Sequence, residues 1–398
     1  MAEITGGQSS PAAVAAAATE AMPDDVLAEI LLRLPSHPSS LSHASFVCKR
    51  WSRLVQNPSF LCRFRAFHQT PPVLGFFHNS SLGSVFVPTG GPPGRIDVDA
   101  ASISTGGDNG GWWLVDCRHG RVLLRSKDWG EALVWDPMTG ASTRITVPGQ
   151  IHAGGNDHSA TVFCAAPAAG ADCRSSPFHV AIVFVRDDGV FGCVYSSLDA
   201  AWGELISAPL PSLLCMIYDE PPALVGGALY WLINGNRMLK FELATQSLAT
   251  VSRLAPAEMP ATHRWNVRAI NLGDDVLGIA FFKDFSLQLW AREVADDGAA
   301  KWVLRRAIEM NKLLRLPMVP SGELHRMVHI WICGFSGDGN VVVVGTPAGI
   351  FQVWLDTLEF KKAPDGTLLV KTVHPYESFY VPNGRGEHKA AELEGQAA

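Results

Sequence analysis

The chain is short of the residue patterns that carry chemistry. Its eight cysteines, Cys48, Cys62, Cys117, Cys164, Cys173, Cys193, Cys215 and Cys333, include no Cys-x-x-Cys pair. That argues against a zinc site or disulfide frame and for buried free thiols in a reducing compartment. No Gly-rich loop runs into Lys-Ser/Thr, and there is no His-Glu-x-x-His and no Gly-x-Ser-x-Gly. The signatures of nucleotide loops, zinc proteases and serine hydrolases are therefore missing. The first 21 residues contain no Lys or Arg, unlike the basic start of a secretory signal. Nowhere do about 18 apolar residues follow one another, the length a membrane span requires. A formal net charge of −6 disfavours unaided binding to nucleic acid or to an acidic membrane. These shortages lead us to expect a soluble intracellular protein of cytoplasm or nucleus, with no metal and no cofactor. Residues 1–21, rich in Ala, and 385–398 read as disordered tails.

The remaining candidates for chemistry have simpler readings. His152 and His158 stand with Asp157 in a Gly-rich stretch, but their spacing fits no common metal-ligand pattern, so an exposed loop is expected. Residues 106–111, Gly-Gly-Asp-Asn-Gly-Gly, lack both the spaced carboxylates of a calcium loop and the Lys of a nucleotide loop. They read as a connection between strands. His325 and His329 would share a face only on a helix, and 327–333 reads as strand.

What the chain does have is apolar pattern, 47% hydrophobic over 398 residues, enough for two or three domains. In residues 22–61, Val26, Leu27, Ile30, Leu31 and Leu34 recur at helical spacing. Asp24 and Asp25 suit a helix N-terminus, Arg33 falls in the last turn, and Pro35 stops the helix. A second apolar set, Leu41, Phe46, Val47, Trp51, Leu54 and Val55, ends at Asn57-Pro58. A unit of about 40 residues is near the lower limit for folding alone, so its surplus apolar surface predicts a docking site.

The order of these residues resembles the F-box. The likeness is carried by Met22-Pro23, Asp25-Val26-Leu27, Glu29-Ile30-Leu31, Arg33-Leu34-Pro35, Val47-Cys48-Lys49, Trp51 and Pro58-Ser59-Phe60. Met22 replaces the commoner Leu, and His37-Pro38 and His43 also depart from the usual pattern. The resemblance implies a helical bundle over residues 22–66 that binds the Skp-family adaptor of a cullin-RING ubiquitin ligase. It carries over Pro23, Leu27, Ile30, Leu31, Leu34, Pro35, Val47, Trp51 and Leu54 as adaptor-facing or motif-core residues.

After about residue 70 the pattern changes to short apolar strands punctuated by Gly, Pro, Asp and Asn. Six strand pairs line up: 74–78 with 84–88, 121–125 with 132–136, 179–185 with 190–196, 228–232 with 238–242, 276–282 with 286–291, and 341–346 with 349–355. The second strand of each carries an aromatic: Phe86, Trp135, Tyr195, Phe241, Trp290 and Trp354. A repeat near 50 residues with several strands per unit is the mark of a propeller blade. Residues 370–381, with Ser378-Phe379-Tyr380, are expected to add a strand to the first blade and close the ring, removing open edges. Trp135, Trp231, Trp290 and Trp354 are expected in the blade cores. The phrases Val134-Trp135-Asp136-Pro137, Val194-Tyr195-Ser196-Ser197, Ala228-Leu229-Tyr230-Trp231-Leu232 and Pro375-Tyr376-Glu377-Ser378-Phe379-Tyr380 resemble the F-box-associated, kelch-like propeller domain of plant F-box proteins.

The expected fold is thus α+β multidomain: a small all-α F-box bundle, then an all-β propeller of six blades over 70–384. The resemblance implies a non-catalytic substrate receptor of an SCF-type ubiquitin ligase, whose propeller recruits an unidentified protein. Two alternatives are an adaptor-binding scaffold or decoy without a degradation substrate, and a propeller that binds a sugar or metabolite. Rim loops should hold the recognition surface, with 146–160, 165–178, 255–266 and 310–326 as the longest stretches between strands.

Overall fold

The structure, a computed structural model, describes residues 22–80, 83–89, 111–152, 157–165, 172–186, 189–209, 217, 220–233, 237–251, 266–294, 300–316, 330–364 and 370–379. The tails expected at 1–21 and 385–398, the glycines at 106–110, and Cys215, His325 and His329 lie outside them. The chain forms two compact units, one of residues up to Pro71 with Phe379, the other running from Pro72 to Ser378.

The first unit is helical. Helix α1, Asp24–Leu32, opens with Asp24 and Asp25 in its first turn, where carboxylates oppose the positive end of the helix dipole. Helix α2, Pro38–Val47, starts with Pro in its first turn and His37 as cap, Nδ1 accepting the Ser39 N–H at 3.3 Å. Extended Cys48 then leads into α3, Lys49–Val55. Helix α4, Pro58–His68, is capped by Asn57, whose Oδ1 accepts the Ser59 N–H at 2.8 Å. Their shared core holds Leu27, Leu31, Leu41, Val55, Phe60 and Phe64.

The second unit is a propeller of six antiparallel sheets, and each sheet contains one of the six expected strand pairs. The second blade is Trp113–Arg118, Arg121–Arg125, Glu131–Trp135 and Ser142–Thr146. The third is His158–Cys164, Phe178–Arg186 and Gly189–Ser196, the last pairing with both Ala201–Trp202 and Ile206–Ala208. The fourth runs Ala223–Val225, Ala228–Ile233, Arg237–Glu242, Ser247–Val251, and the fifth Val267–Asn271, Leu277–Lys283, Ser286–Val294, Ala300–Glu309. The sixth is Trp331–Phe335, Val341–Thr346, Gly349–Trp354 and Phe360–Lys362. The first blade is made from both ends of the unit: His374–Glu377 pairs with Val73–Ser80, which pairs with Gly83–Pro88.

The closing strand matches expectation in partner but not in extent. His374 lies opposite Phe77 and Glu377 opposite Val73. Phe379, read from sequence as part of that strand, instead meets Phe64 edge-on at 6.3 Å in the core of the helical unit. Of the four tryptophans expected in blade cores, Trp135 and Trp231 are buried. Trp290 and Trp354 are half-buried, because Trp290 follows a bulge after Leu289 and Trp354 is the last residue of its strand.

Side chains tie neighbouring blades together through backbone groups that the innermost strands leave free. Asn79 accepts the Leu114 N–H and donates to the Leu114 carbonyl, both at 2.9 Å. Asn266 does the same with Ile332 N–H at 2.8 Å and the Ile330 carbonyl at 2.9 Å. Buried Asp116 accepts from the Thr161 hydroxyl at 2.5 Å and the Val162 N–H at 3.3 Å. Such pairing satisfies groups that would be costly to bury alone.

Candidate functional site

The helical unit buries only part of its apolar surface. On α1, the side turned inward carries Leu27, Ala28, Leu31 and Leu32. Val26 and Ile30, four residues apart and thus one above the other, remain 44% and 46% exposed. At the end of α2, Phe46 and Val47 are 69% and 62% exposed. Extended Cys48 ends the helix there. Full burial of such side chains against a partner is worth about 1.5–3 kcal/mol each, before association costs.

Charged groups hold this surface in place. Arg50 bonds Asp24 at 2.6 Å and also the Met22 carbonyl, fixing the start of α1 to α3. Glu29 takes hydrogen bonds from Arg33, at 3.1 Å, and from Arg63 of α4. Both hold its carboxyl below the usual range. These pairs are solvent-exposed and set geometry more than stability.

The nine residues picked from sequence divide three ways. Leu27 and Leu31 are buried in the bundle; Leu34, Trp51 and Leu54 are half-buried; Pro23, Ile30, Pro35 and Val47 are exposed. Val26 and Phe46 are exposed too, although sequence reasoning left them out of the set. The i, i+4 spacing of Val26 and Ile30 was the available signal for the first. Nothing in the pattern distinguishes Phe46 from a core residue.

On the propeller, the inner strands of five blades surround a small pocket lined by Asp116, Arg118, Arg268, Asn271, Ser336 and His374 among others. Its charges are cross-linked. Arg118 donates to the Pro222 carbonyl at 2.7 Å and lies 3.7 Å from Asp116. Arg268 pairs with Glu220 at 2.5 Å and donates to the Ile332 carbonyl at 2.8 Å. Burial pushes His374 down to about 4, so it is neutral near pH 7, and drives His119 the same way. Half-buried Glu377 accepts the Gly337 N–H at 2.8 Å. Desolvation and then the nearby Asp338 raise it to about 7.

His158, expected in an exposed loop, is the buried first residue of its strand. Its Nε2 lies 2.9 Å from the Ile151 carbonyl and its ring stacks between Trp129 and Phe184, a packing role. The cysteines are not uniformly buried as expected. Cys164, Cys193 and Cys333 are, but Cys117 and Cys173 are half-buried and Cys48 and Cys62 are exposed on the helical unit. Among the described residues no group of three His, Cys, Asp or Glu is placed to hold a metal, and no helix is long and apolar enough to cross a membrane.

Comparison with known proteins agrees with both units. The F-box domain model matches residues 20–63. The F-box/kelch-repeat protein At5g26960 of Arabidopsis thaliana is 47% identical over 53 residues, which are 13% of this chain and 12% of that protein. Solved structures give only distant likeness. The β-propeller domain of Cps50 (Swd1) from Myceliophteria thermophila has a TM-score of 0.36 at 13% identity, covering 75% of this chain and 87% of that one. The extracellular domain of BT4673 from B. thetaiotaomicron has a TM-score of 0.34 at 13% identity, covering 67% of this chain and 29% of that one. Neither likeness bears on function. The model described as F-box protein AT5G49610-like, beta-propeller, matches residues 113–362, more than half of the chain, and the chain belongs to that family of F-box proteins.

Proposed function

We propose that the chain is a substrate receptor of an SCF-type ubiquitin ligase. In this reading the helical unit docks on a Skp-family adaptor, and through it on a cullin-RING ligase, while the propeller holds the protein to be modified. The chain makes and breaks no bonds itself. It acts by raising the effective concentration of substrate near the ubiquitin-charged enzyme. It would work inside the cell, in cytoplasm or nucleus.

One observation carries the reading: a bundle with its own filled core still leaves Val26, Ile30, Phe46 and Val47 outside it, within the segment that matches the F-box. We assign adaptor contact to Pro23, Ile30, Pro35 and Val47, joined by Val26 and Phe46, with half-buried Leu34, Trp51 and Leu54 supporting them. Leu27 and Leu31 keep the core role. Co-purification of the full chain with a Skp-family adaptor tests this. Wild type should retain the adaptor and Ile30→Asp/Val47→Asp should lose it with an unchanged melting curve. Retention by the double variant would remove the assignment.

A further inference from the structure

The outer strands of most blades are short: six residues in Gly83–Pro88, five in Ser142–Thr146 and Ser247–Val251, three in Phe360–Lys362. In the fifth blade the outer strand Ala300–Glu309 has ten, and among the described residues no strand pairs with its far side. Long open edges invite pairing with another chain.

The orientation of this edge can be worked out. Ser286, Leu287 and Gln288 lie opposite Glu309, Ile308 and Ala307, and the Met310 N–H continues the ladder by donating to the Phe285 carbonyl at 3.0 Å. Donors alternate sides along an antiparallel strand. The N–H groups of Ile308 and Met310 therefore face the sheet, and those of Ala307 and Glu309 face outward. The short helix Met310–Leu313 follows directly.

The charge on this edge is mostly positive. Between residues 300 and 316, Lys301, Arg305, Arg306, Lys312 and Arg315 stand against Glu309 alone, in a chain of net charge −6. Glu293 on the neighbouring strand pairs with Arg305 at 2.9 Å and Lys301 at 3.4 Å. Among the described residues, Arg306, Lys312 and Arg315 form no ion pair, and Lys312 and Arg315 are exposed. Leu304 and Val294 add exposed apolar surface. A second copy of this edge would set cations against cations, so self-pairing is disfavoured.

We propose that the edge Ala300–Glu309 is a docking site for an extended acidic peptide segment of a partner protein, which adds to the fifth blade as a further strand. Backbone pairing supplies affinity and the cations select sign. This does not rest on adaptor docking, since the helical unit takes no part.

The test uses the full chain and a fluorescent ten-residue peptide alternating Glu and Val, with a Lys-Val peptide as control. The acidic peptide should bind saturably and weaken as salt rises, while the control does not bind. Hydrogen exchange should show new protection at Ala307 and Glu309. Arg306→Glu/Lys312→Glu should weaken binding about tenfold or more. Ala307→Pro, which removes an outward donor and leaves the inner ladder intact, should do likewise. No saturable binding, equal binding of the Lys-Val peptide, or protection confined to other strands would each overturn the proposal. So would loss of binding on charge reversal with full retention in a folded Ala307→Pro, since charge alone would then explain it. The exchange measurement on the wild-type chain decides the matter should Ala307→Pro fail to fold.

Discussion

Glu377 sits where the last strand of the ring meets the sixth blade, its carboxylate bonded to the Gly337 N–H. Its folded-state value of about 7 stands above the ordinary 4.5, so the folded chain holds this proton more tightly than the unfolded one. Stability from this group is therefore present at low pH and is lost as pH rises from about 4.5 through 7. Buried His374 and His119, both lowered to about 4, act in the opposite sense over a similar range. Comparing Glu377→Gln with wild type isolates the glutamate. The variant should gain on the order of 2–3 kcal/mol at pH 8 relative to its difference at pH 5, read by urea unfolding at both values. A nearby glycine is equally constrained. Gly339 has a φ of +73°, and a Cβ there would lie 1.9 Å from the Asn271 carbonyl oxygen of the fifth blade. Gly339→Ala should destabilise the propeller by about 2 kcal/mol or more in the same assay.

At the scale of elements, α1 has a buried side and an exposed side, and the proposed adaptor contact assigns them different roles. Leu31→Ala should cost about 2–5 kcal/mol, as loss of a fully buried leucine does, and melt the helical unit early. Ile30→Asp should change stability by no more than about 0.5 kcal/mol while removing adaptor retention. Far-ultraviolet melting together with co-purification tells the two apart. Between blades, Asp116→Ala strands the Thr161 hydroxyl and the Val162 N–H, for an expected loss of about 1–3 kcal/mol per buried unpaired group. The first helix and all six hairpins were legible in the sequence, because helical spacing, turn residues and recurrent aromatics are local signals, whereas helix Pro58–His68 begins where the sequence pattern read as a stop. Of the strands flanking the hairpins, Trp331–Phe335 and the closing His374–Glu377 were read in part and the others were not. Ala223–Val225 and Phe360–Lys362 have three residues each, too few for any period to show. The clamps Asn79, Asp116 and Asn266 were invisible for another reason: their partners lie 35 or more residues away. At the proposed docking surface, sequence order identified the unit but not which of its leucines face inward. That is decided by how α1 rolls against α4, and Phe379 arrives from far along the chain to fill the same core.

At the scale of the molecule, the propeller depends on one four-residue strand. His374–Glu377 lies beside the inner strands of both the second and sixth blades and brings buried Tyr376 against Phe77 at 5.6 Å. A chain stopped after Val373 should lose this pairing, expose the edge of Val73–Ser80 and form oligomers. Size-exclusion chromatography with light scattering reads this directly, and a monomer with a wild-type melt would contradict it. The same strand sets a schedule for synthesis. Val73–Ser80 and His374–Glu377 emerge roughly 300 residues apart, which at about 5–20 residues per second is an interval of about 15–60 s. Throughout that time the first hairpin waits on the ribosome with one edge unpaired, and five blades take shape without a ring. A newborn chain is thus most vulnerable to aggregation just before His374–Glu377 is made, and would be an early client of the cell's chaperones.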